Sequence, residues 1–408
     1  MRFKLPWLGG ERLEKVKSVD SGKLGYLEGI RGLAAIAVVF AHILATYYPG
    51  ASGSVPTESG QGGILTRLFH GLPFGFAVSG HFAVVLFFVL SGFVLTYKYF
   101  QGHKGIDLHK QAVKRLPRLA IPVAATVLLS YVLLSSGAFS HLPEVGRVTG
   151  SPEVQRFMTT PLTIGDALNN AIIGVFTGDG VKYNPALWTM SVELIGSFVV
   201  FGLAPLAHSL KRRWVLYLGA IVILGDSYYT CFVLGMILAD VVNNTNAIAF
   251  MRDKVSRVYA YVALLIVWVI ASFPSPTGAV DNTIFGHLLF SGITDMTSFL
   301  IWQYLAAFLL LAVILVRPEL QRILNSKIMI WIGGLSFSMY LTHYLILHSL
   351  GDSVFLVLYG WLGYHGGALI AALVTISVTL LVSIAWKKYI DDLSVRVSRS
   401  VSRAMLKS

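Results

Sequence analysis

Residues 26–42 read YLEGIRGLAAIAVVFAH, a run that is apolar apart from Glu28, Arg31 and His42. With its flanks, the run is long enough to cross a bilayer as a helix. The eleven positions from Arg31 to His42 turn a helix by about 1100°, within about 20° of three full turns, and span about 16 Å. The two side chains therefore share one face. Because charged groups inside a membrane are costly, this face predicts a polar passage with a titratable base at its far end.

The composition is typical of a polytopic membrane protein. Of the 408 residues, 55% are hydrophobic and 13% are charged, whereas soluble domains carry about 25% charged residues. The net charge of +12 does not indicate nucleic-acid binding, because Lys and Arg are gathered in short loops beside apolar runs. The single cysteine, Cys231, excludes a disulfide within the chain and is expected to be an inert core thiol.

The hydropathy pattern predicts an all-α protein of about ten transmembrane helices with both termini in the cytosol. The positive-inside rule supports this orientation, because most of the 32 Lys and Arg residues then fall in inner segments. The fifth and sixth helices are short and could instead form a hairpin that does not fully cross. The ten helices are expected at about 25–48, 81–98, 119–137, 187–207, 214–224, 228–242, 258–274, 298–316, 329–350 and 366–386.

Three segments follow from this topology. We expect a cytosolic N-terminal segment over residues 1–24, a membrane domain over 25–386 and a basic cytosolic tail over 387–408. The tail alternates Ser with Arg and Val, which indicates an amphipathic segment on the anionic inner leaflet.

The helical rise places several polar side chains at comparable depths. His42, Glu193 and His343 fall in the outer third of the membrane, although they are far apart in sequence. The inner mouth of the third helix holds a basic group made of Lys114, Arg115 and Arg118. We therefore expect a cationic entrance on the cytosolic side and a His/Glu cluster on the other side.

Each of these residues also has a structural explanation. His42 and His343 could be ordinary hydrogen-bonding histidines of a helix bundle, and Glu193 could lock two helices by pairing with an Arg or a Trp. Basic residues at the cytosolic end of a helix often serve topology alone. Arg31 could pair with Glu28, one turn before it.

Six short motifs follow one another between residues 24 and 386. They are the Arg31…His42 pair, FFVLSGF at 87–93, KRLPR at 114–118 with Pro122 beyond it, LWTMSVE at 187–193, GMILAD at 235–240 and YLTH at 340–343. In this order, on a frame of ten helices, they resemble the acyltransferase 3 family of integral membrane O-acyltransferases.

The resemblance implies a membrane enzyme that transfers an acyl group, often acetyl, from cytosolic acyl-CoA to a hydroxyl on the opposite side. The acceptor would be a glycan, a lipid or a small molecule. His42 corresponds to the essential histidine of the family, and Arg31, Arg115 and Arg118 correspond to its arginines. Lys114 stands where a further Arg is common, which weakens bidentate phosphate binding there.

The residues suggest a division of roles within such an enzyme. His42 would be the base or an acyl carrier, and Glu193 would orient it or stabilise its charged form. The donor acyl-CoA, a co-substrate rather than a resident cofactor, would be bound by Arg31, Arg115, Arg118, Lys114 and Ser91. The acceptor-facing or structural residues would be Trp188, Tyr340 and His343. No metal site is expected, because the histidines lack the close spacing of zinc ligands.

A secondary transporter or proton-coupled carrier is the alternative. Ten helices with intramembrane His, Glu and Arg fit that class in general. Such carriers usually carry internal repeats with broken helices at matching positions, and the sequence shows no such pairing. The sequence leaves open whether the protein forms a homo-oligomer.

Overall fold

The computed structural model describes residues 24–53, 63–102, 108–156, 163–178, 180–254, 256–275 and 284–405. These ranges form helices joined by turns and contain no β-strand. We number the longer helices α1 to α11: Gly25–Tyr47 (α1), Gly80–Phe100 (α2), Leu108–Ser135 (α3), Trp188–Ser209 (α4), Arg213–Leu224 (α5), Tyr229–Asn244 (α6), Arg257–Ala271 (α7), Asp295–Val316 (α8), Ser336–Ile346 (α9), Asp352–Trp386 (α10) and Asp392–Met405 (α11). Shorter helices include Gly63–Phe69, Leu142–Thr149, Pro152–Arg156, Ile164–Asn169, Ala247–Lys254, Pro318–Leu324 and Lys327–Gly333.

The predicted all-α, polytopic membrane architecture is confirmed. In the described ranges, six helical stretches are long and apolar enough to cross a bilayer, and a seventh counts if α6 and the bent helix after it form one span. The apolar helices α5 and α7 have 12 and 15 residues. At the helical rise they are only about 18 and 22 Å long, shorter than the roughly 30 Å hydrocarbon core. The count of ten crossings and the cytosolic placement of both termini stay predictions.

The last long helical stretch, Ser336–Met405, folds back on itself. Gly363 interrupts α10 with φ 68° and ψ −179°, a conformation open to glycine but not to residues with a side chain. The hydroxyl of Ser338 donates to Asp391 at 3.1 Å, 53 residues further along. A straight helix would hold these residues about 80 Å apart. The stretch is therefore a hairpin that contains the tenth predicted helix, 366–386, and most of the ninth, 329–350, whose first residues lie in the separate helix Lys327–Gly333.

Glycines in the motifs allow the helices of the core to pack closely. A Cβ atom at Gly92 on α2 would collide with the backbone of Phe232 on α6, and one at Gly235 on α6 would collide with the carbonyl of Val89. Small residues at facing positions are the usual means of close helix approach in membranes. The α2 and α6 motifs thus serve packing as well as any chemistry.

Helix α1 is packed against helices from both the first and the last parts of the chain. It contacts α2, α9 and the short helix Lys327–Gly333. A Cβ atom at Gly32 would meet the backbone of Gly333, and one at Gly29 would meet the carbonyl of Leu324. These contacts fix the rotation of α1 and hence the directions in which Arg31 and His42 point.

The basic tail forms helix α11, which packs along α3. Ser394, Ser398 and Ser402, one turn apart, are its buried residues. Arg399 and Arg403 are exposed on the other side. Its placement on the inner leaflet stays a prediction.

Candidate active site

A large cavity of about 1060 Å³ opens at the face predicted to be outside. We call it the outer cavity, and its lining residues include His42, His81, Glu153, Trp188, Tyr340 and Tyr344. Residues from α1, α2, α4, α9 and the segments between them contribute to its walls. Its volume is at or slightly above the roughly 300–1,000 Å³ of small-molecule sites.

His42 lies in this cavity with its ring held on several sides. Its Nδ1 is in hydrogen-bond contact with Oε1 of Glu153, which lies on the short helix Pro152–Arg156. The centroid of the His343 ring is 5.1 Å from that of His42, and Tyr344 meets the His42 ring edge-on at 5.2 Å. An ionised carboxylate only accepts hydrogen bonds, so Nδ1–H donates to Glu153, and in the neutral imidazole Nε2 then carries the lone pair.

His343 lies beside His42, as its predicted depth implied, but it does not line the outer cavity. Its side chain is buried, and Nδ1 donates to the backbone carbonyl of Met339 at 3.0 Å. Among the residues that the structure describes, its Nε2 has no hydrogen-bond partner. This environment favours the structural explanation for His343.

A second cavity of about 90 Å³ lies between α1, α2, α3, α4 and α9. We call it the inner cavity, and the sequence-predicted residues that line it are Arg31, Ser91, Arg115, Arg118, Glu193 and Tyr340. The structure thus brings together all three arginines that the sequence assigned to the donor. Lys114, the fourth basic residue of that set, is not among the lining residues.

Glu193 belongs to the inner cavity. Its Oε1 pairs with Nη2 of Arg115 and accepts a hydrogen bond from the Ser91 hydroxyl at 2.7 Å. Arg115 also donates from Nε to the Ser197 hydroxyl at 2.7 Å. The sequence predicted that Glu193 lies next to His42. In the structure, Glu193 pairs with Arg115, and His42 is in hydrogen-bond contact with Glu153. Arg115 lies within α3, which runs from Leu108 rather than from near 119 as predicted.

The other two arginines also have acidic neighbours. Arg31 Nη1 lies 3.8 Å from Glu28 Oε1, in a loose pair between partly exposed side chains. The charges acting on Arg118 include those of Asp391, Arg115 and Arg31. The inner cavity is therefore lined by three guanidinium groups, each of which has a carboxylate nearby.

The two cavities adjoin at α2 and α9. Val84 on α2 and Tyr340 on α9 line both of them. The Tyr340 hydroxyl donates to the carbonyl of Ala186 at 2.8 Å and accepts from the Thr189 hydroxyl at 2.9 Å. These bonds hold the Tyr340 ring at the boundary between the arginine cluster and His42.

Comparison with known proteins identifies the chain. The family model described as "Acyltransferase domain" of acyltransferase 3 matches residues 24–386. The chain belongs to the acyltransferase 3 family. Membership makes it a membrane acyltransferase, so the transporter alternative is set aside, and it implies an acyl donor and an acceptor.

Two fungal relatives of this acyltransferase 3 protein are similar along most of their length. An acyltransferase of Phoma sp. is 24% identical over an alignment of 408 positions, gaps included. The alignment covers 83% of this chain and 86% of the relative. An O-acetyltransferase of Phomopsis amygdali is 23% identical over an alignment of 432 positions, gaps included. That alignment covers 94% of this chain and 85% of the relative. No solved structure matches this acyltransferase 3 chain.

Two polar residues of the site in this acyltransferase 3 chain, Glu153 and Ser197, were not predicted from the sequence. Glu153 stands 111 residues after His42, in a long polar segment that gives no local sign of its partner. Ser197 lies one helical turn after Glu193, and its hydroxyl donates to the Glu193 carbonyl. The position of Ser197, one turn after a motif glutamate, was the only signal that could have singled it out.

Proposed function

We propose that the protein transfers an acyl group, acetyl in the first instance, from cytosolic acyl-CoA to a hydroxyl of an acceptor in the outer cavity. One observation carries this proposal: Val84 and Tyr340 line both the three-arginine cavity and the cavity that contains His42. The phosphates of an anionic donor would bind among the arginines, and its thioester would pass Val84 and Tyr340 to reach His42. The fungal O-acetyltransferase relative supports acetyl transfer to oxygen.

The donor is expected to enter from the basic side. Guanidinium groups match the geometry of phosphate oxygens, and Arg118 is the most exposed of the three arginines, whereas Arg115 is held by Glu193. The inner cavity, at about 90 Å³, is well below the size of ordinary ligand sites. We therefore expect only the narrow pantetheine arm to pass it, beside Arg31, with the phosphates held at the mouth.

The reaction can follow one of two balanced routes at His42. In the first, Nε2 takes the proton of the acceptor hydroxyl, the oxygen attacks the thioester carbonyl, the C–S bond breaks, and the CoA thiolate takes the proton from the imidazolium. In the second, Nε2 attacks the thioester and CoA leaves as the thiolate; the acceptor hydroxyl then attacks the acyl-imidazolium, the bond from Nε2 to the acyl carbon breaks, and the hydroxyl proton passes to the thiolate. Both routes yield an ester and free CoA.

The lining of the outer cavity favours an uncharged, largely apolar acceptor that carries a hydroxyl. The only acidic or basic residues among its described lining residues, histidines aside, are Glu153 and Lys182. Glu153 contacts His42, and Lys182 lies 3.5 Å from Asp166. Aromatic side chains supply much of the remaining wall: Phe69, Trp188, Phe273, Phe299, Tyr340 and Tyr344. Such a wall suits a hydrophobic body with one or a few polar groups.

The decisive experiment follows label from [¹⁴C]acetyl-CoA into an extract of cells that express the protein naturally. The purified protein in lipid nanodiscs should transfer the label. His42→Ala should reduce transfer by about 10²-fold or more, the range of general base catalysis, while it still binds acetyl-CoA. His287→Ala, which removes an exposed histidine of a loop, is the matched control and should transfer normally. Normal transfer by His42→Ala would refute the proposal.

A further inference from the structure

We propose that Glu153 is the positioning residue for His42: its carboxylate holds the imidazole in the tautomer that leaves Nε2 free, and stabilises the imidazolium that forms during transfer. This inference rests on the proposed function of His42. It gives the segment between α3 and α4 a role in the reaction, because Glu153 lies in that segment rather than in a membrane helix.

The local structure holds Glu153 in place. Ser151, two residues before Glu153, is buried, and its hydroxyl donates to the carbonyl of Ala45 on α1 at 2.6 Å. The following residue, Val154, is 1% exposed. Since Ala45 lies about one helical turn after His42, these two anchors set the short helix Pro152–Arg156 directly against the part of α1 that carries His42.

The His42 ring is restrained from the other sides as well. The Thr46 hydroxyl donates to the His42 backbone carbonyl at 2.8 Å, and the rings of His343 and Tyr344 pack against the imidazole. With Nδ1–H directed at the Glu153 carboxylate, the lone pair of Nε2 is the remaining basic site. A base oriented by a third group in this way is the arrangement used to activate hydroxyl nucleophiles.

A different role for the pair is conceivable on geometry alone, namely a tether that merely fastens the loop to α1. The two roles make different demands on the side chain at 153. A tether needs a hydrogen-bond acceptor of the right length, which glutamine supplies. A positioning carboxylate needs a negative charge, because glutamine cannot stabilise the imidazolium and can present its NH₂ group to Nδ1.

Three variants separate these roles. Glu153→Gln should lower kcat by about 10²- to 10⁴-fold, the range seen when a catalytic histidine loses its base function or its correct tautomer. The KM for acetyl-CoA should stay within about twofold, since the proposed donor site is formed by the arginines and not by Glu153. Glu153→Asp, which keeps the charge on a shorter side chain, should recover part of the lost kcat.

Glu144→Gln is the matched control, because Glu144 lies in the same segment and pairs with Arg147 while both side chains are exposed. It should leave kcat unchanged. Size-exclusion profiles and thermal midpoints of all variants establish that they are folded.

Two outcomes would overturn the inference. One is wild-type kcat in a folded Glu153→Gln variant while His42→Ala is inactive, in which case the proposed function stands and Glu153 is only a tether. The other is a fall in kcat that Glu153→Asp does not relieve and that comes with an equal rise in the KM for acetyl-CoA. Activity in His42→Ala would instead show that the proposed function itself fails.

Discussion

Arg115 on α3 and Glu193 on α4, 78 residues apart in the sequence, form an ion pair inside the bundle. Each side chain is less than 15% exposed in this pair, and Ser91 and Ser197 complete its hydrogen bonds. The pair joins residues from three of the six sequence motifs, at 87–93, 114–118 and 187–193. A residue assigned to the donor and a residue assigned to catalysis are therefore in direct contact with one another.

Loss of one partner of this pair should destabilise the protein strongly. Glu193→Ala should lower the free energy of unfolding by about 3–5 kcal/mol, because Arg115 then keeps a largely buried charge without its carboxylate. When Arg115→Ala is added to Glu193→Ala, it should lower the free energy of unfolding much less than it does in the wild type, because the effects of substitutions at contacting residues are not additive. Denaturant unfolding in detergent micelles measures both effects. Glu144→Ala, whose pair is exposed, should cost no more than about 1 kcal/mol, and additive effects at Arg115 and Glu193 would contradict the coupling.

Arg118 should contribute to donor affinity in a salt-dependent manner. Hydrogen bonds to charged groups contribute about 1.5–3 kcal/mol, so Arg118→Ala should raise the KM for acetyl-CoA roughly 10- to 100-fold and leave kcat nearly unchanged. The effect should shrink near 1 M salt, where the Debye length is only about 3 Å. Lys114→Ala is the comparison, because Lys114 does not line the inner cavity. An equal effect of both substitutions would mean that the cavity does not select the donor-binding residues.

Gly92 and Gly235 should not tolerate a side chain. Alanine at either position would meet the backbone of the facing helix, and overpacking of this kind costs about 1–3 kcal/mol. Thermal midpoints of Gly92→Ala and Gly235→Ala should therefore fall. Gly202→Ala is the matched control on α4, where nothing lies within 4 Å of the new Cβ, and it should gain up to about 1 kcal/mol in helix propensity. A rise in the midpoint of all three variants would contradict the close α2–α6 contact.

His70 should make the protein sensitive to mild acid. It follows the short helix Gly63–Phe69 and lines the outer cavity, and burial lowers the pKa of its imidazole below the ordinary value. As the pH falls through about 6.5, the unfolded chain binds the proton before the folded protein does, so stability falls with it. His70→Gln removes this proton uptake, and its thermal midpoint should drop less than that of the wild type between pH 7.5 and 5.5. Equal drops in the two proteins would show that His70 does not contribute.

The helices were predictable because their signals are local. The bounds of α1, α5 and α8 fall within three residues of the hydropathy prediction. Helix α3 differs from its prediction. The apolar run begins only near 119, after a basic stretch, whereas the helix extends back to Leu108. Hydropathy reports where lipid can surround a helix and not where the helix itself starts, so it did not show that Arg115 lies within α3.

The site was predictable in part. The helical period put Arg31 and His42 on one stripe of α1, and each lines one of the two adjoining cavities. The motifs also brought Ser91, Arg115, Arg118 and Glu193 into a single set. The partner of His42 was not predictable, because Glu153 lies in a polar segment with no periodic pattern.

By itself, the sequence determined that this is an all-helical membrane protein of the acyltransferase 3 type, with Arg31 and His42 on one face of its first helix. Those properties follow from hydropathy, helical spacing and short motifs, all of which act over a few turns of chain. Only the tertiary structure decided that Glu153 reaches His42, that Glu193 binds Arg115, and that Val84 and Tyr340 separate two cavities. Such pairings depend on how distant helices rotate and approach, which the glycine contacts of α1, α2 and α6 fix only once the bundle is packed.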